Sequence, residues 1–408
     1  MISTPRPKIA LVGAFDRFNY GDLLFPIIAG NEIGRHSNSP VASINALVQS
    51  DLSAFGAVPT QPLRQLFSPG HLADGDVVIY AGGGTIGVDW AYMHSNLLGP
   101  VANQALYYFG RVFGPRRVDA LSRVRFGSRS PFPWVSEPSN YPASVKVAYN
   151  AVGGSEFAAL PADVQSRTLQ CLAKAAYVSV RDAETWRLFS SILSTAPLEL
   201  APDSAVLMSE QYPLAGLRQR CSLATVEQLD AGPYVCFQAN INYVRKHAPA
   251  IIAMLEAIHE QHGLRALLLP IGRYVGLDDQ IALRGILDVI RTPADIVSDQ
   301  ASIWEIMAVL ASANLFVGTS LHGNVTSQSF AVPHIGLKYD KLSKLDHYLG
   351  SWDLPEQARC IELSAARLAI DRVLAVPGAA REALRTDLMA KAHANFAKLA
   401  AACQLTWS

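Results

Sequence analysis

Short apolar runs alternate with longer amphipathic stretches along most of this chain. In its first half, six runs predict β-strands: residues 9–14, 41–47, 76–81, 146–152 and 177–180, and a short run closed by residues 201–203. Most of these runs are apolar throughout, which is typical of strands buried on both faces of a parallel sheet. Helical patterns separate them. The alternation predicts a doubly wound parallel α/β sheet.

A second series of the same kind follows after residue 232. Its predicted strands are residues 234–238, 264–270, 295–297, 315–318 and 334–339, with helical patterns between them. We therefore predict an N-terminal α/β domain over residues 1–208 and a C-terminal one over 233–355. Residues 209–232 are polar and loop-like and are interpreted as the linker. Residues 356–408 are rich in Ala, Leu and Arg and predict helices that pack back on the first domain.

The alternation fails over residues 89–141, which we interpret as an insertion in the first domain. Between residues 111 and 129 it holds six arginines and a single acid, Asp119. One interpretation is a solvated loop. In the other, these arginines and nearby aromatic side chains meet an anionic membrane surface or a polyprenyl-diphosphate carrier. The aromatic residues are Tyr107, Tyr108, Phe109, Phe113 and Trp134.

Composition narrows the class of protein. The chain has 408 residues with a formal net charge of zero, which excludes nucleic-acid binding through a global positive field. Its five cysteines form no CxxC pair and are expected to be reduced thiols. No His, Cys, Asp or Glu set has metal-ligand spacing, and no apolar run reaches the ~18 residues that span a bilayer. We expect a cytoplasmic protein, placed at the inner face of the membrane if the insertion contacts lipid.

Residues 315–344 carry the strongest candidate site. A buried strand feeds a tight turn and then a helix, and such loops at the carboxyl ends of parallel strands bind ligands. His322 falls in the first helical turn, where unpaired N–H groups and the helix dipole favour an anion. Lys338, Lys341 and Lys344 follow the next strand. This pattern predicts a site for a phosphorylated or carboxylated substrate, although a histidine there can also be purely structural.

Two further loops follow predicted strands. Asn19 and Asp22 lie between the first strand and its helix, where they either bind sugar hydroxyls or let Asp22 cap the helix. The three glycines at 82–84 either let a substrate or the opposite domain approach the backbone closely, or only make a tight turn. Residues 82–87 also fit GxGxxG, but they do not follow the first strand and lack the acid of a dinucleotide site.

Arg181 directly follows the strand at residues 177–180, so its guanidinium is expected at the same edge of the sheet. It either forms a salt bridge with Asp182 or Glu184, or clamps a phosphate or carboxylate, for which a planar guanidinium is well suited.

Together these stretches resemble the polysaccharide pyruvyl transferase family. The matching positions are residues 19–22, 82–84, 179–182, 202–205, 318–323, 333 and 339–341. The resemblance implies a GT-B-like fold, with two Rossmann-like domains facing across a cleft. It also implies transfer of a pyruvyl group from phosphoenolpyruvate to a sugar of a cell-surface polysaccharide or its lipid-linked precursor, forming a ketal without a cofactor or metal.

The resemblance implies that Arg181, His322 and Lys341 are the catalytic residues. We expect the substrate to be bound by Asn19, Gly21, Asp22, Gly82, Gly83, Gly84, Ser320, Gly323, Arg273 and Lys338. Ser320 stands where many members of the family carry an arginine. Arg181, Arg273 or Lys338 would then supply the missing charge.

Two alternative functions share parts of this pattern. A GT-B glycosyltransferase would use a nucleotide sugar and need an acid for the ribose, for which Asp340 is the candidate. A non-catalytic glycan-binding protein would keep the cleft and lose the chemistry.

Overall fold

The computed structural model describes residues 6–191, 193, 198–273, 279–339, 344–357 and 359–407. The strands within these ranges are β1 (Ile9–Val12), β2 (Val41–Ala46), β3 (Gln61–Pro62), β4 (Val77–Ala81), β5 (Lys146–Val152), β6 (Tyr177–Val180), β7 (Leu198–Leu200), β8 (Tyr234–Gln238), β9 (Arg265–Leu268), β10 (Ala294–Ile296), β11 (Leu315–Gly318), β12 (His334–Leu337) and β13 (Cys360–Ile361). The helices are α1 (Tyr20–His36), α2 (Trp90–Ser95), α3 (Pro100–Phe113), α4 (Pro115–Arg125), α5 (Ala162–Leu172), α6 (Ala183–Ser190), α7 (Met208–Gln211), α8 (Leu214–Arg218), α9 (Leu223–Asp230), α10 (Ile241–His262), α11 (Asp279–Leu287), α12 (Ile303–Ala311), α13 (Leu321–Ser329), α14 (Lys344–Trp352), α15 (Leu363–Ala375) and α16 (Gly378–Ala402).

The strands form two sheets, and every strand pair in them is parallel. The first sheet has the order β3-β2-β1-β4-β5-β6-β7, and the second has the order β10-β9-β8-β11-β12-β13. Both follow the doubly wound order, in which the chain reverses direction across the sheet beside the first strand. The predicted fold of two Rossmann-like domains is confirmed. The two reversal points lie between β1 and β4 and between β8 and β11.

Apolar packing joins the two domains. One core cluster runs from the first sheet through α1 and α12 to Phe316 of the second sheet and Leu399 of α16. Two further clusters pack against the other faces of the two sheets. Because the first cluster is shared, separating the domains would expose a large apolar surface to water.

Residues 209–232, interpreted as a loop-like linker, contain most of α7 together with α8 and α9. Ser222 and Thr225 of this segment both donate to the carboxylate of Glu305 in α12, at 2.6 and 2.9 Å. The segment is thereby fastened to the second domain. Helices of four to eight residues are too short to leave a clear apolar period, which is why the sequence showed none.

More than half of the insertion is helical. It forms α2 and the hairpin of α3 and α4, and both hairpin helices have proline at their first position after a glycine. Proline fits that position because its missing N–H would have no helical partner there. The two Gly-Pro pairs, at residues 99–100 and 114–115, therefore mark helix starts.

The two C-terminal helices separate. α16 packs back on β5 and β6 of the first sheet, as predicted, whereas α15 packs on α10 and β12 of the second. Tyr177 of β6 donates its hydroxyl hydrogen to Asn395 Oδ1 at 2.7 Å, and Asn395 Nδ2 donates to Asn150 Oδ1 at 2.6 Å. None of the helices in the described parts of the chain combines the length and apolar character needed to cross a bilayer.

Asn395→Ala tests this buried contact. The substitution leaves Tyr177 and Asn150 without their partner in a buried setting, so we expect a loss of about 1–3 kcal/mol in the free energy of unfolding. Lys398→Ala on the same helix is the control. It removes an ion pair with Glu199 in which both side chains are more than a third exposed, and should cost less than about 0.5 kcal/mol. Urea denaturation measures both; equal losses would contradict the buried contact.

Candidate active site

A cavity of about 430 Å³ lies between the two domains, at the carboxyl ends of both sheets. The loops that follow β1, β4, β8 and β11 all contribute to its wall, so the reversal points of the two sheets face each other across it. Of the residues expected at the site, the cavity is lined by Asn19, Asp22, Gly82, Gly83, Gly84, Arg181, Ser320 and His322. A larger depression of about 650 Å³ beside His71 is shallow and open to solvent, and none of the expected site residues lines it.

Asp203 joins two of the expected catalytic residues. Its fully buried carboxylate accepts a hydrogen bond from Arg181 through Oδ2, at 2.8 Å. The same oxygen lies 3.7 Å from Nε2 of His322, which is too far for a hydrogen bond but close enough for electrostatic attraction. Burial alone would raise the pKa of Asp203; His322 and Arg181 outweigh it and hold the pKa below its ordinary value.

Arg181 has neither of the salt-bridge partners considered from the sequence. Asp182 caps α6 by accepting from Thr185 N at 2.8 Å, and Glu184 pairs with a different arginine, Arg187, at 2.6 Å. The guanidinium of Arg181 instead lies against Gly153, where an added Cβ would come within 2.9 Å of its Nε. One of its amino nitrogens is held by Asp203, so its other N–H groups remain as donors toward the cavity.

The imidazole of His322 is placed by the first domain, although the residue belongs to α13 of the second. Its ring lies edge-on to Phe25 at a centroid distance of 5.3 Å. It also lies directly over Gly21, where an added Cβ would be only 1.7 Å from Nδ1. Gly21 therefore provides space for the ring, a role different from the substrate contact expected of it.

The helix bearing His322 is tied down near the site. The backbone carbonyl of His322 accepts from Thr326 Oγ1 at 2.7 Å, and this hydroxyl is 3.0 Å from the phenol oxygen of Tyr20 in α1. Ser320 caps the helix, because its Oγ accepts from the N–H of Gly323 at 3.1 Å. Gly323 itself packs on Phe316 beneath the cavity and does not line it.

Helix α1 begins earlier than its sequence pattern suggested. It starts at Tyr20, so Asn19 occupies the N-cap position and Asp22 lies within the first turn. The interpretation of Asp22 as the helix cap is thus wrong. Its Oδ2 instead accepts from Asn19 Nδ2 at 2.8 Å, and both residues line the cavity.

The glycine run after β4 has backbone angles that favour glycine. Gly82 and Gly83 have φ angles of 68° and 81°, in the left-handed region. A Cβ on Gly82 would also come within 2.3 Å of the Phe25 ring, which is the ring that meets His322. The run therefore supports the position of the imidazole as well as forming a wall of the cavity.

Two of the expected cations lie away from the cavity. Arg273 stacks on the Phe18 ring, with its guanidinium carbon 3.9 Å from the centroid, and donates to the carbonyl of Ala301. Burial lowers the pKa of Arg273 to about 10. Lys338 pairs with Glu362 at 3.6 Å beside β13. Neither residue is part of the cavity wall.

Lys341 and Asp340 lie outside the described residues. Within the part that the structure describes, the cations that line the cavity are Arg181, Arg17 and Lys344. Arg17 is buried and bonded through both Nε and a terminal nitrogen to the carboxylate of Asp16, at 2.9 and 2.6 Å.

The second domain adds a polar wall that the sequence reading missed. Gln238, the last residue of β8, donates to Asp279 Oδ2 at 3.1 Å, and both line the cavity with Asn240. The sequence offers a signal for Gln238, Asn240 and Arg17, because each ends or follows a strand at the carboxyl edge of its sheet. It offers none for Asp279, which begins α11. Asp203 lies three residues beyond β7, at the same edge of the first sheet.

A histidine–carboxylate cluster lies elsewhere, between α1 and α16. Glu32, His36 and His393 bring three ligand atoms within 4.8 Å of one another, which could hold a metal ion. His393 also bridges two carboxylates, Glu32 at 2.6 Å and Glu210 at 2.9 Å. Burial would lower the pKa of His393, but these two carboxylates raise it above its ordinary value. None of these residues lines the cavity.

Several solved structures share the fold. The chain is similar to UDP-N-acetylglucosamine 2-epimerase of Rickettsia bellii at 6% identity, covering 98% of each chain with a TM-score of 0.58. It is also similar to the Neisseria meningitidis UDP-GlcNAc 2-epimerase bound to UDP-GlcNAc, at 8% identity and a TM-score of 0.53, covering 96% of this chain and 99% of that one. These likenesses show a GT-B-like fold and nothing about the reaction. No curated protein matches the sequence.

The sequence model described as "Polysaccharide pyruvyl transferase" matches residues 142–341. This range contains Arg181 and His322, which line the cavity from the two domains, and the buried Asp203 that both of them contact. Over residues 142–341, the chain is therefore similar to the polysaccharide pyruvyl transferase family.

Proposed function

We propose that this protein transfers the pyruvyl group of phosphoenolpyruvate to a sugar of a cell-surface polysaccharide or its lipid-linked precursor, forming a ketal. The observation that supports this most directly is the contact of Arg181 and His322 with one buried carboxylate at the cavity wall. A guanidinium and a titratable ring therefore lie side by side. A small anionic donor whose reaction needs proton transfer requires both groups.

Cationic side chains in the cavity wall support the donor. Phosphoenolpyruvate carries a phosphate and a carboxylate on one enol. Arg17, Arg181 and Lys344 line the cavity, together with the acids Asp22, Glu156 and Asp279. Arg17 and Arg181 are each held by a buried carboxylate, so their orientation is fixed before any substrate binds. Such preorganised charges stabilise a charged transition state without reorganisation at the moment of reaction.

The chemistry assigned to His322 is proton transfer. Protonation of the donor's methylene carbon makes the adjacent carbon electrophilic, and a sugar hydroxyl attacks it with loss of its own proton. A second hydroxyl then displaces phosphate and closes the ketal. The balance is one donor and two hydroxyls giving one ketal and one phosphate. Asp203 lies beside the ring, and we assign the sugar hydroxyls to Asn19 and Asp22, which line the same cavity.

The test of this function is phosphate release from phosphoenolpyruvate in the presence of candidate glycans, with the product identified by mass spectrometry. We expect His322→Ala to lower the rate by about 10²–10⁴-fold, the usual contribution of general acid–base catalysis. His71→Ala, in the shallow depression, should retain the wild-type rate.

Release of phosphate with ketal formation supports the proposal. A His322→Ala rate near that of wild type would contradict the assignment of proton transfer to His322. Release of nucleotide from a nucleotide sugar would favour the glycosyltransferase alternative. Glycan binding without turnover would favour a non-catalytic protein.

Gly21→Ala tests the placement of the imidazole. The added methyl group must displace the His322 ring, so we expect at least a tenfold loss of turnover, or about 1.4 kcal/mol in the barrier. Gly30→Ala on the same helix is the matched control, because nothing lies within 4 Å of its added Cβ. Steady-state rates and thermal unfolding are measured together. Equal activity of the two variants would show that the ring tolerates the methyl group.

Asp203→Asn tests the buried contact through pH. At neutral pH, Arg181 would lose its buried counter-charge, and we expect a loss of about 3–5 kcal/mol in the free energy of unfolding. Because the folded-state pKa of Asp203 is lowered, its stabilisation is complete above the unfolded value of about 3.9 and is lost as pH falls through the folded value.

The difference between wild type and Asp203→Asn should therefore be largest near pH 7 and shrink in acid, as followed by urea denaturation at several pH values. Asp163→Asn is the control, since Asp163 forms an exposed pair with Arg116. A pH-independent difference would mean that Asp203 is not charged in the fold.

A further inference from the structure

The hairpin of α3 and α4 carries apolar side chains on the outside of the protein. Along α3, Val101, Ala105, Tyr108 and Val112 recur at helical spacing and form a stripe, and all four are exposed. Val101 is 83% exposed and Val112 is 74% exposed, so the described residues leave most of the stripe uncovered. An apolar stripe of this kind normally faces a core.

The hairpin already has an inner face, so the stripe is not needed to fold it. Gly110 of α3 faces the buried Val118 of α4, and its added Cβ would lie 3.4 Å from a Val118 methyl carbon. The stripe lies on the opposite side of α3. α4 adds two exposed apolar residues of its own, Leu121 and Val124. Exposed apolar side chains gathered on one small element mark an interaction site.

The same hairpin is strongly basic. Its exposed arginines are Arg111, Arg116, Arg117, Arg123 and Arg125. The one acid among them, Asp119, is turned inward, where its carboxylate accepts from the N–H groups of Trp90 and Ala91 at 2.7 and 3.2 Å. Within the described residues, only Arg116 of these arginines has an ion pair, with Asp163 at 3.4 Å.

Exposed apolar side chains and an excess of arginines on one hairpin match one kind of partner. We propose that the hairpin surface, meaning the exposed residues of α3 and α4, binds the surface of a bilayer that contains anionic lipids. The aromatic and aliphatic side chains enter the acyl boundary while the arginines meet the headgroups. A second copy of this chain fits less well, because a symmetric contact would bring the same arginines against one another.

The hairpin lies close to the candidate active site. α4 packs on α2, and Tyr92, Met93 and Asn96 of α2 and its end line the candidate active site. A bilayer bound to the hairpin would thus lie close to the mouth of the cleft. The binding itself does not depend on which reaction the cleft performs.

Vesicle sedimentation tests the proposal with the full-length protein. The vesicles are pure phosphatidylcholine, or phosphatidylcholine with about 30% phosphatidylglycerol to supply negative charge. One variant carries Arg111→Gln, Arg117→Gln and Arg123→Gln, and should bind anionic vesicles about a hundredfold more weakly. Its matched control removes three exposed arginines of the second domain, Arg245→Gln, Arg367→Gln and Arg372→Gln.

A second variant tests the apolar stripe with Val101→Gln, Tyr108→Gln and Val112→Gln. Its control changes three exposed apolar residues elsewhere, Leu223→Gln, Ile281→Gln and Leu368→Gln. We expect both hairpin variants to lose at least about tenfold in vesicle binding and both controls to bind like wild type. Thermal unfolding confirms that all four variants fold.

The proposal holds if wild type prefers anionic vesicles, added salt weakens the binding, and only the hairpin variants lose it. It is overturned if wild type does not sediment with anionic vesicles, if it binds neutral vesicles equally, or if the controls lose binding as well. Self-association that the hairpin variants abolish, without vesicle binding by wild type, would assign the surface to a second copy. A phosphate-release assay with a water-soluble acceptor reports on the reaction separately.

Discussion

The arrangement of this cleft depends on the buried carboxylate of Asp203, which must remain paired. Asp203 lies in the first domain with no access to solvent, and ionised carboxylates are tolerated in such positions only when they are paired. Arg181 provides the direct hydrogen bond from the same domain, and the His322 ring approaches from the other. Because Gly21 and Phe25 also hold this ring, the first domain fixes the position of a side chain that the second domain carries.

The packing around this contact favours a cleft that is assembled before substrate arrives. The shared apolar core passes beneath the cavity, and α14 reaches across from the second domain. Trp352 at its end donates to the backbone carbonyl of Arg181 at 2.8 Å, and Ser351 accepts from Ala183 N at 2.8 Å. The strand that presents Arg181 is therefore held by both domains. Preorganisation of this kind limits the misplacement that makes catalytic groups ineffective.

The sequence predicts this architecture well where local pattern and topology agree. Continuous apolar runs such as β4 are buried residue for residue, and loops after parallel strands meet at one edge of a sheet. That rule alone places Asn19, Arg181 and His322 near one another. It does not say which way a side chain turns. The sequence therefore predicts Arg273 and Lys338 at the cleft, whereas Arg273 stacks on Phe18 and Lys338 pairs with Glu362. The hydrogen bond between Asp203 and Arg181 depends on the register of neighbouring strands, which no local sequence pattern contains.

The crossing of α16 has a consequence for synthesis on the ribosome. This helix completes the first domain, since Leu388, Phe396 and Leu399 belong to the core that also holds Ile9 and Ile28. Roughly 180 residues are translated between the end of β7 and the start of that apolar face, which takes about ten to forty seconds at usual elongation rates. The nascent first sheet must wait that long before α16 covers β5 and β6.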